Sequence, residues 1–170
     1  LTLTLIGVVA SSFAFLGTQA QVIDFEKYNP PSTLVVPKHP LQQAKYPFID
    51  VHNHQRNMGA ADLDKLVAEM DKLNMRVMVN LSGGNGENLK SKTESIKAKY
   101  PGRFMVFANI DFAGIGTEGW TEKAVAQLQT DVKNGASGLK IFKSLGFSIN
   151  DNNGKRVTVD DPRLDAIWSA

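Results

Sequence analysis

The sequence contains no cysteine among its 170 residues. A disulfide framework and a thiolate metal site are therefore excluded, and any bound metal would need histidine, carboxylate or modified-lysine ligands. Neither sign of charge is in large excess, because the sequence has 19 Lys and Arg residues and 17 Asp and Glu residues, which give a formal net charge of +2. With no cluster of basic residues, this balance argues against nucleic acid as a partner.

The segment 1–20 lacks charged side chains altogether and is rich in Leu, Val, Ala and Phe. It closes with the small residues of Gly17–Ala20, an ending that suits signal-peptidase cleavage, and Ser11 and Ser12 interrupt its apolar run. A buried helix or a membrane anchor is the alternative. We predict a signal peptide, hence an exported protein, periplasmic or secreted, with no stable membrane insertion after cleavage. Because the sequence opens on Leu1 with no basic leader, we also expect it to begin inside that signal.

Proline is concentrated in one region, since five of the seven prolines fall between residues 30 and 47. Prolines at this density favour extended backbone and exclude a central strand or a long helix. The segment 21–46 is therefore predicted to be an extended arm, in which His39 is solvated. The folded domain is expected to span residues 47–170.

From residue 47 onward, short apolar runs alternate with amphipathic segments. This rhythm predicts strands joined by crossover helices, as in a parallel sheet. The predicted strands cover residues 46–54, 76–81, 104–111 and 138–143.

The predicted helices follow each strand and carry an apolar stripe at helical spacing. We expect Asp62 and Thr121 to cap the first and third helices, and Asp161 with Pro162 to open the fourth. A hairpin is predicted over 148–159. The stripes are Leu63, Leu66, Val67, Met70 and Leu73 in the first helix, Leu89, Ile96 and Tyr100 in the second, and Val125, Leu128 and Val132 in the third.

Two α/β architectures fit this order: an open doubly wound sheet and the first half of a (β/α)8 TIM-type barrel. A complete barrel needs about 250 residues, and the last helix is still running at Ala170. We therefore expect about four βα units of a barrel whose second half is missing. An unpaired strand edge would remain, so we expect this half to be unstable or insoluble by itself.

The first predicted strand ends in two of the three histidines, His52 and His54. Strand side chains alternate between faces, so both imidazoles and Asp50 should share one face, with the rings about 6–7 Å apart along the strand. Neutral imidazole is the commonest protein ligand for zinc-like ions. The spacing therefore indicates a shared divalent metal, although a half-exposed strand end would look the same.

Polar residues also close the other strands, at the rim where parallel α/β folds bind ligands. Asn80, Asn109, Asp111 and Lys143 are candidate contacts for a small-molecule substrate, although Asn and Asp are also common in turns. Lys140 is expected to point inward, because its neighbours in sequence are apolar and should face the helices. It could carry a carbamate that bridges metals, contact a substrate carboxylate, pair with Asp50, or extend to the rim.

The stretch Phe48–His54 resembles the first-strand signature of the amidohydrolase superfamily, whose members are metal-dependent hydrolases built on (β/α)8 barrels. It is most similar to the amidohydrolase-related branch that also contains carboxylic-acid decarboxylases. The segment Gly138–Ile141 is similar to the fourth strand in which urease-like members carry a carboxylated lysine. The resemblance implies that His52 and His54 are metal ligands, that Lys140 is a possible bridging ligand, and that one or two divalent ions, typically zinc, are bound.

The same resemblance implies further histidines on strands five and six and an aspartate, the catalytic base, on strand eight. We expect these in the missing half, so the present residues alone should be inactive. The expected reaction is hydrolysis of an amide, ester or lactone by activated water. A decarboxylase acting on a small carboxylic acid, or an exported barrel that only binds its ligand, remain alternatives, and the oligomeric state stays open.

Overall fold

The computed structural model describes residues 24–170. The signal peptide predicted over residues 1–20 lies outside this range. Residues 24–39 are exposed and have no helix or strand, and they contain one turn in which the Lys27 amide donates to the Asp24 carbonyl at 3.1 Å. Among the helices described, none is long and apolar enough to cross a membrane.

Residues 40–170 form a separate unit built on a parallel sheet. The strands are paired in the order β1-β2-β3-β4, and the sheet is curled. A doubly wound sheet reverses its strand order at a switch point, whereas a barrel keeps the order of the sequence. The architecture is therefore consistent with half of a TIM barrel. The strands are β1 (Phe48–Asn53), β2 (Met75–Asn80), β3 (Phe104–Ala108) and β4 (Gly138–Leu139).

A helix follows each of the first three strands, and a short one lies near the end of the chain. The apolar stripes face the sheet as predicted, with Leu63, Val67 and Met70 of the first helix buried. The stripes are shorter than predicted, because Leu73 and Val132 are 44% and 55% exposed at the ends of their helices. The helices are α1 (Ala60–Leu73), α2 (Gly86–Lys99), α3 (Trp120–Lys133) and α4 (Asp165–Ser169), the last preceded by a 3₁₀ turn at Pro162–Leu164.

Two of the three predicted helix caps, Asp62 and Thr121, were wrong. Glycines precede α1 and α3 instead, and neither helix start receives a side-chain cap. Thr121 lies one residue inside α3, and its hydroxyl donates to the Arg163 carbonyl at 3.1 Å. The third cap is confirmed, because the Asp161 carboxylate accepts from the Arg163 amide at 3.0 Å and Pro162 is the first residue of the 3₁₀ turn.

The start of α2 is held by a residue that the sequence patterns did not indicate. Asp131 of α3 is 1% exposed, and its carboxylate accepts from the Gly86 amide at 2.8 Å and from Gln127 at 3.0 Å. A carboxylate at a helix N-terminus is favoured by the helix dipole and satisfies an amide that lacks an intrahelical partner. This contact ties α2 to α3 just after the loop that leaves β2.

The last predicted strand and the hairpin are shorter than expected. Strand pairing after β4 ends with the Lys140 amide, which donates to the Ala108 carbonyl at 2.9 Å. The region 148–159 keeps one antiparallel bridge, between Asn150 and Arg156. Both segments are held by packing onto the rest of the fold rather than by a regular ladder.

The core consists of two buried clusters between the sheet and its helices. One is centred on α1, β2 and β3, and the other on α3, α4 and the loops after β3 and β4. Leu139 and Ile141 pack against the second cluster, as predicted from their apolar character. Lys140 lies just beyond β4 and is half-buried.

Candidate metal centre at the strand ends

His52 and His54 converge at the end of β1. Their Nε2 atoms lie 3.2 Å apart, and their ring centroids are 5.1 Å apart in an edge-on arrangement. Two ligands of one tetrahedral zinc, each at about 2.0–2.1 Å, stand about 3.3–3.4 Å apart. Two nitrogen lone pairs at this distance repel unless a proton or a cation lies between them. The spacing is that of an N–H···N hydrogen bond between the two rings, and it also fits two ligands on one metal ion.

The second ring nitrogen of His54 also has a partner. Its Nδ1 lies 2.8 Å from the hydroxyl of Ser82, in the loop after β2. Metal-binding histidines commonly donate their other N–H to an oxygen, which leaves the facing nitrogen free to bind. Ser82 can serve in this way for Nε2 of His54.

Asp50 stabilises the end of β1 through hydrogen bonds. Its carboxylate accepts from the His52 amide at 2.9 Å and from the Asn53 side chain at 2.7 Å. The hydrogen bond from the Asn53 side chain, and to a smaller extent the one from the His52 amide, hold the pKa of Asp50 below its usual range. Both oxygens are thus engaged in shaping β1. Within residues 24–170, no group of three or more His, Asp or Glu side chains is arranged to hold a metal.

Asn80 lies at the end of β2 and is fully buried. Its oxygen accepts from the amides of Gln55 and Ser82 at 3.0 and 2.9 Å. Its nitrogen donates to the Gln55 carbonyl at 2.8 Å and contacts the sulfur of Met58 at 3.1 Å. The side chain therefore joins the loop that follows His54 to the loop that carries Ser82. Its contact with substrate stays a prediction.

Asn109 joins neighbouring strand ends in a similar way, just beyond β3. Its oxygen accepts from the Gly84 amide at 2.9 Å, and its nitrogen donates to the carbonyls of Leu81 and Lys140 at 3.0 and 3.1 Å. This single side chain thus connects the ends of β2, β3 and β4. Asn80 and Asn109 together set the spacing of the loops around the histidine pair. A contact between Asn109 and substrate stays a prediction.

The remaining predicted residues are less constrained. Asp111 is exposed and its carboxylate accepts from the Ala113 amide at 2.9 Å, which is the turn that Asp favours after a strand. Lys143 is exposed, and Lys140 is half-buried. In the part of the chain that the structure describes, no ion pair links Lys140 to Asp50. The roles of these residues toward metal or substrate stay predictions.

Two neighbours of the histidines were not predicted. Phe142, just beyond β4, lies with its ring centroid 5.8 Å from that of His54. Ser82 is the other. A serine shortly after a strand was the available signal for Ser82. Nothing in the local sequence pairs Phe142 with His54, because their contact joins the segments that follow the two outer strands of the sheet.

Comparison with protein-family models, with curated proteins and with solved structures finds no match for this chain. The resemblance of Phe48–His54 to the first-strand signature of amidohydrolases stays a prediction from these residues.

Proposed function

We propose that this chain contributes the first half of the active site of a metal-dependent hydrolase. The observation that carries the proposal is the 3.2 Å separation of the two Nε2 atoms of His52 and His54. The parallel strand order of the sheet supports it, since ligand sites of such folds lie at the carboxyl ends of the strands. A divalent cation, zinc by preference of its ligands, supplies Lewis-acid polarisation of a carbonyl and activation of water when bound.

His52 and His54 would hold the ion through Nε2, and a third ligand is required because zinc sites use at least three protein ligands. Lys140 is the candidate among the described residues. It is half-buried on the same rim, and its neighbours Leu139 and Ile141 pack on the helix side. Addition of carbon dioxide to its neutral amine, with loss of a proton, would give an anionic carbamate ligand.

Substrate would bind above the histidine pair, where Phe142 offers an apolar wall beside His54. Asn80 and Asn109 would act by holding the strand-end loops in place rather than by proton transfer. The substrate class is a small molecule with an amide, ester or lactone carbonyl.

The first experiment measures zinc affinity by competition with a chromophoric chelator. We expect the His52→Ala and His54→Ala variants each to weaken zinc binding by more than about tenfold, since each removes one ligand. The His39→Ala variant is the matched control, because His39 is the remaining histidine and lies in the exposed arm. Zinc affinity that is equal in all three variants would refute the proposal.

The second experiment identifies the reaction. Because the first half of the barrel is expected to be inactive by itself, the zinc-loaded protein is tested together with the second half that the amidohydrolase resemblance implies. It is offered small esters, amides, lactones and carboxylic acids, and acid release and carbon dioxide release are followed separately. Acid release that disappears in His52→Ala supports a hydrolase. Carbon dioxide release would instead identify a decarboxylase, and zinc binding without either product would leave a binding protein.

A further inference from the structure

Lys92 of α2 has an unusual environment for a lysine. Its side chain is partly buried, and its ammonium donates to the carbonyls of Gly83 and Ser82 at 2.9 and 3.3 Å. Among residues 24–170, no carboxylate forms an ion pair with it. Burial lowers the pKa of this ammonium. The hydrogen-bond acceptors of the Lys92 ammonium are thus backbone carbonyls. Partial burial of a charge costs free energy, and these two hydrogen bonds offset part of that cost.

The loop that receives these hydrogen bonds is tightly held on its other side. The Gly83 amide donates to the Phe107 carbonyl at 3.1 Å, and a Cβ at Gly83 would collide with the same oxygen. Gly84 exchanges two hydrogen bonds with Asn109, at 2.8 and 2.9 Å. The loop is therefore fixed between β3 and α2, and Ser82 at its start faces His54.

We infer that Lys92 is a positioning residue for the metal centre, acting through Ser82 on the ring of His54. The inference rests on the proposed function. Lys92 holds the Ser82 carbonyl from the helix side, which sets the direction of the Ser82 side chain. The Ser82 hydroxyl, at 2.8 Å, then accepts the Nδ1 proton of His54 and leaves Nε2 free toward His52.

The chain of contacts is continuous and short. It runs from the Lys92 ammonium to the Ser82 backbone, from the Ser82 hydroxyl to Nδ1 of His54, and from Nε2 of His54 to Nε2 of His52. The Lys92 ammonium donates to the Ser82 and Gly83 carbonyls and forms no hydrogen bond with His52 or His54. Its effect on the metal must therefore pass through the loop, which distinguishes it from a ligand.

The test compares four variants of the whole chain. Lys92→Met removes the charge and keeps the length, and Lys92→Arg keeps a cation that can donate to carbonyls. Ser82→Ala removes the hydroxyl. Lys90→Met is the matched control, since Lys90 lies on the same helix and its nearest acid is Glu87 of the same turn, at 3.7 Å.

Two properties are measured. Zinc affinity is measured by chelator competition, and the tautomer of His54 is read in metal-free protein from the ring nitrogen shifts in a long-range ¹H–¹⁵N spectrum. We expect Lys92→Met to weaken zinc binding about tenfold, as loss of a supporting contact does, and to reduce the Nδ1-protonated fraction of His54. Lys92→Arg should keep both zinc affinity and the His54 tautomer close to those of the wild type, and Lys90→Met should leave both unchanged.

A double variant decides whether Lys92 acts through Ser82. If it does, Lys92→Met adds little to Ser82→Ala, because contacts that act as a unit are not additive. The inference would be overturned if the fold-losses of zinc affinity in the two single variants multiplied in the double variant. It would also be overturned if the His54 tautomer were unchanged in Lys92→Met. If the wild type binds no zinc, the proposed function fails, while the tautomer of the metal-free protein still decides the role of Lys92.

Discussion

The side chain of Asn80 makes the most buried set of contacts around the histidine pair, and its removal should be costly. In Asn80→Ala, the amides of Gln55 and Ser82 and the carbonyl of Gln55 lose their partners in a site that is 0% exposed. Each such hydrogen bond contributes about 1 kcal/mol net, so the loss should approach about 3 kcal/mol. That is a large fraction of the roughly 5–15 kcal/mol by which a folded domain is typically stable.

The free energy of unfolding is measured by urea titration, followed by the fluorescence of Trp120 and Trp168. Asn88→Ala is the control, because Asn88 is exposed on α2 and its loss should cost less than about 0.5 kcal/mol. Zinc affinity should fall together with stability in Asn80→Ala, since the loops that carry His54 and Ser82 are no longer joined. A loss below about 1 kcal/mol would contradict the account of Asn80 as a buried clamp.

Two further predictions concern the rest of the chain. Arg163 holds Asp161 through a two-pronged ion pair, with its Nη2 2.6 Å and its Nε 2.8 Å from the carboxylate, and this hydrogen bonding lowers the pKa of Asp161 to about 2 from 3.8. The folded pKa lies below the unfolded one, so the stabilisation is present above about pH 4 and is lost as the pH falls toward about 2. Since Arg163 is about one-third exposed, we expect this pair to stabilise the fold by about 1 kcal/mol, and Asp161→Asn should lack that contribution. The free energy of unfolding is measured by urea titration at about pH 6 and about pH 2.5. An equal decrease between these pH values in wild type and variant would argue against this role of the pair. Val51 is 70% exposed on the edge strand β1, and an exposed apolar edge should promote self-association. We therefore expect the Val51→Lys variant to sediment as a smaller species than the wild type at the same concentration. An unchanged sedimentation coefficient would count against an open edge.

Much of the local structure follows from the sequence. The apolar stripes place α1, α2 and α3 within a few residues, and Pro101 with Gly102 and Asn134 with Gly135 mark the ends of α2 and α3. These signals act over one or two turns, so they do not depend on the rest of the fold.

The ends of elements were harder to predict. Asp62 and Thr121 have the chemistry of helix caps, yet α1 and α3 begin earlier, after Gly59 and Gly119. β4 ends at Leu139 because its partner strand β3 ends at Ala108, and a strand extends only as far as its neighbour pairs with it. Element ends depend on partners that lie far away in sequence.

For the candidate site, the sequence by itself determined the pair of histidines, because the alternation of strand side chains places His52 and His54 on one side. Only the tertiary structure decided what surrounds them. Ser82 reaches Nδ1 of His54 because β2 lies beside β1, and Phe142 reaches the same ring because the sheet curls. Contacts of this kind depend on strand order and sheet curvature, which local patterns do not specify.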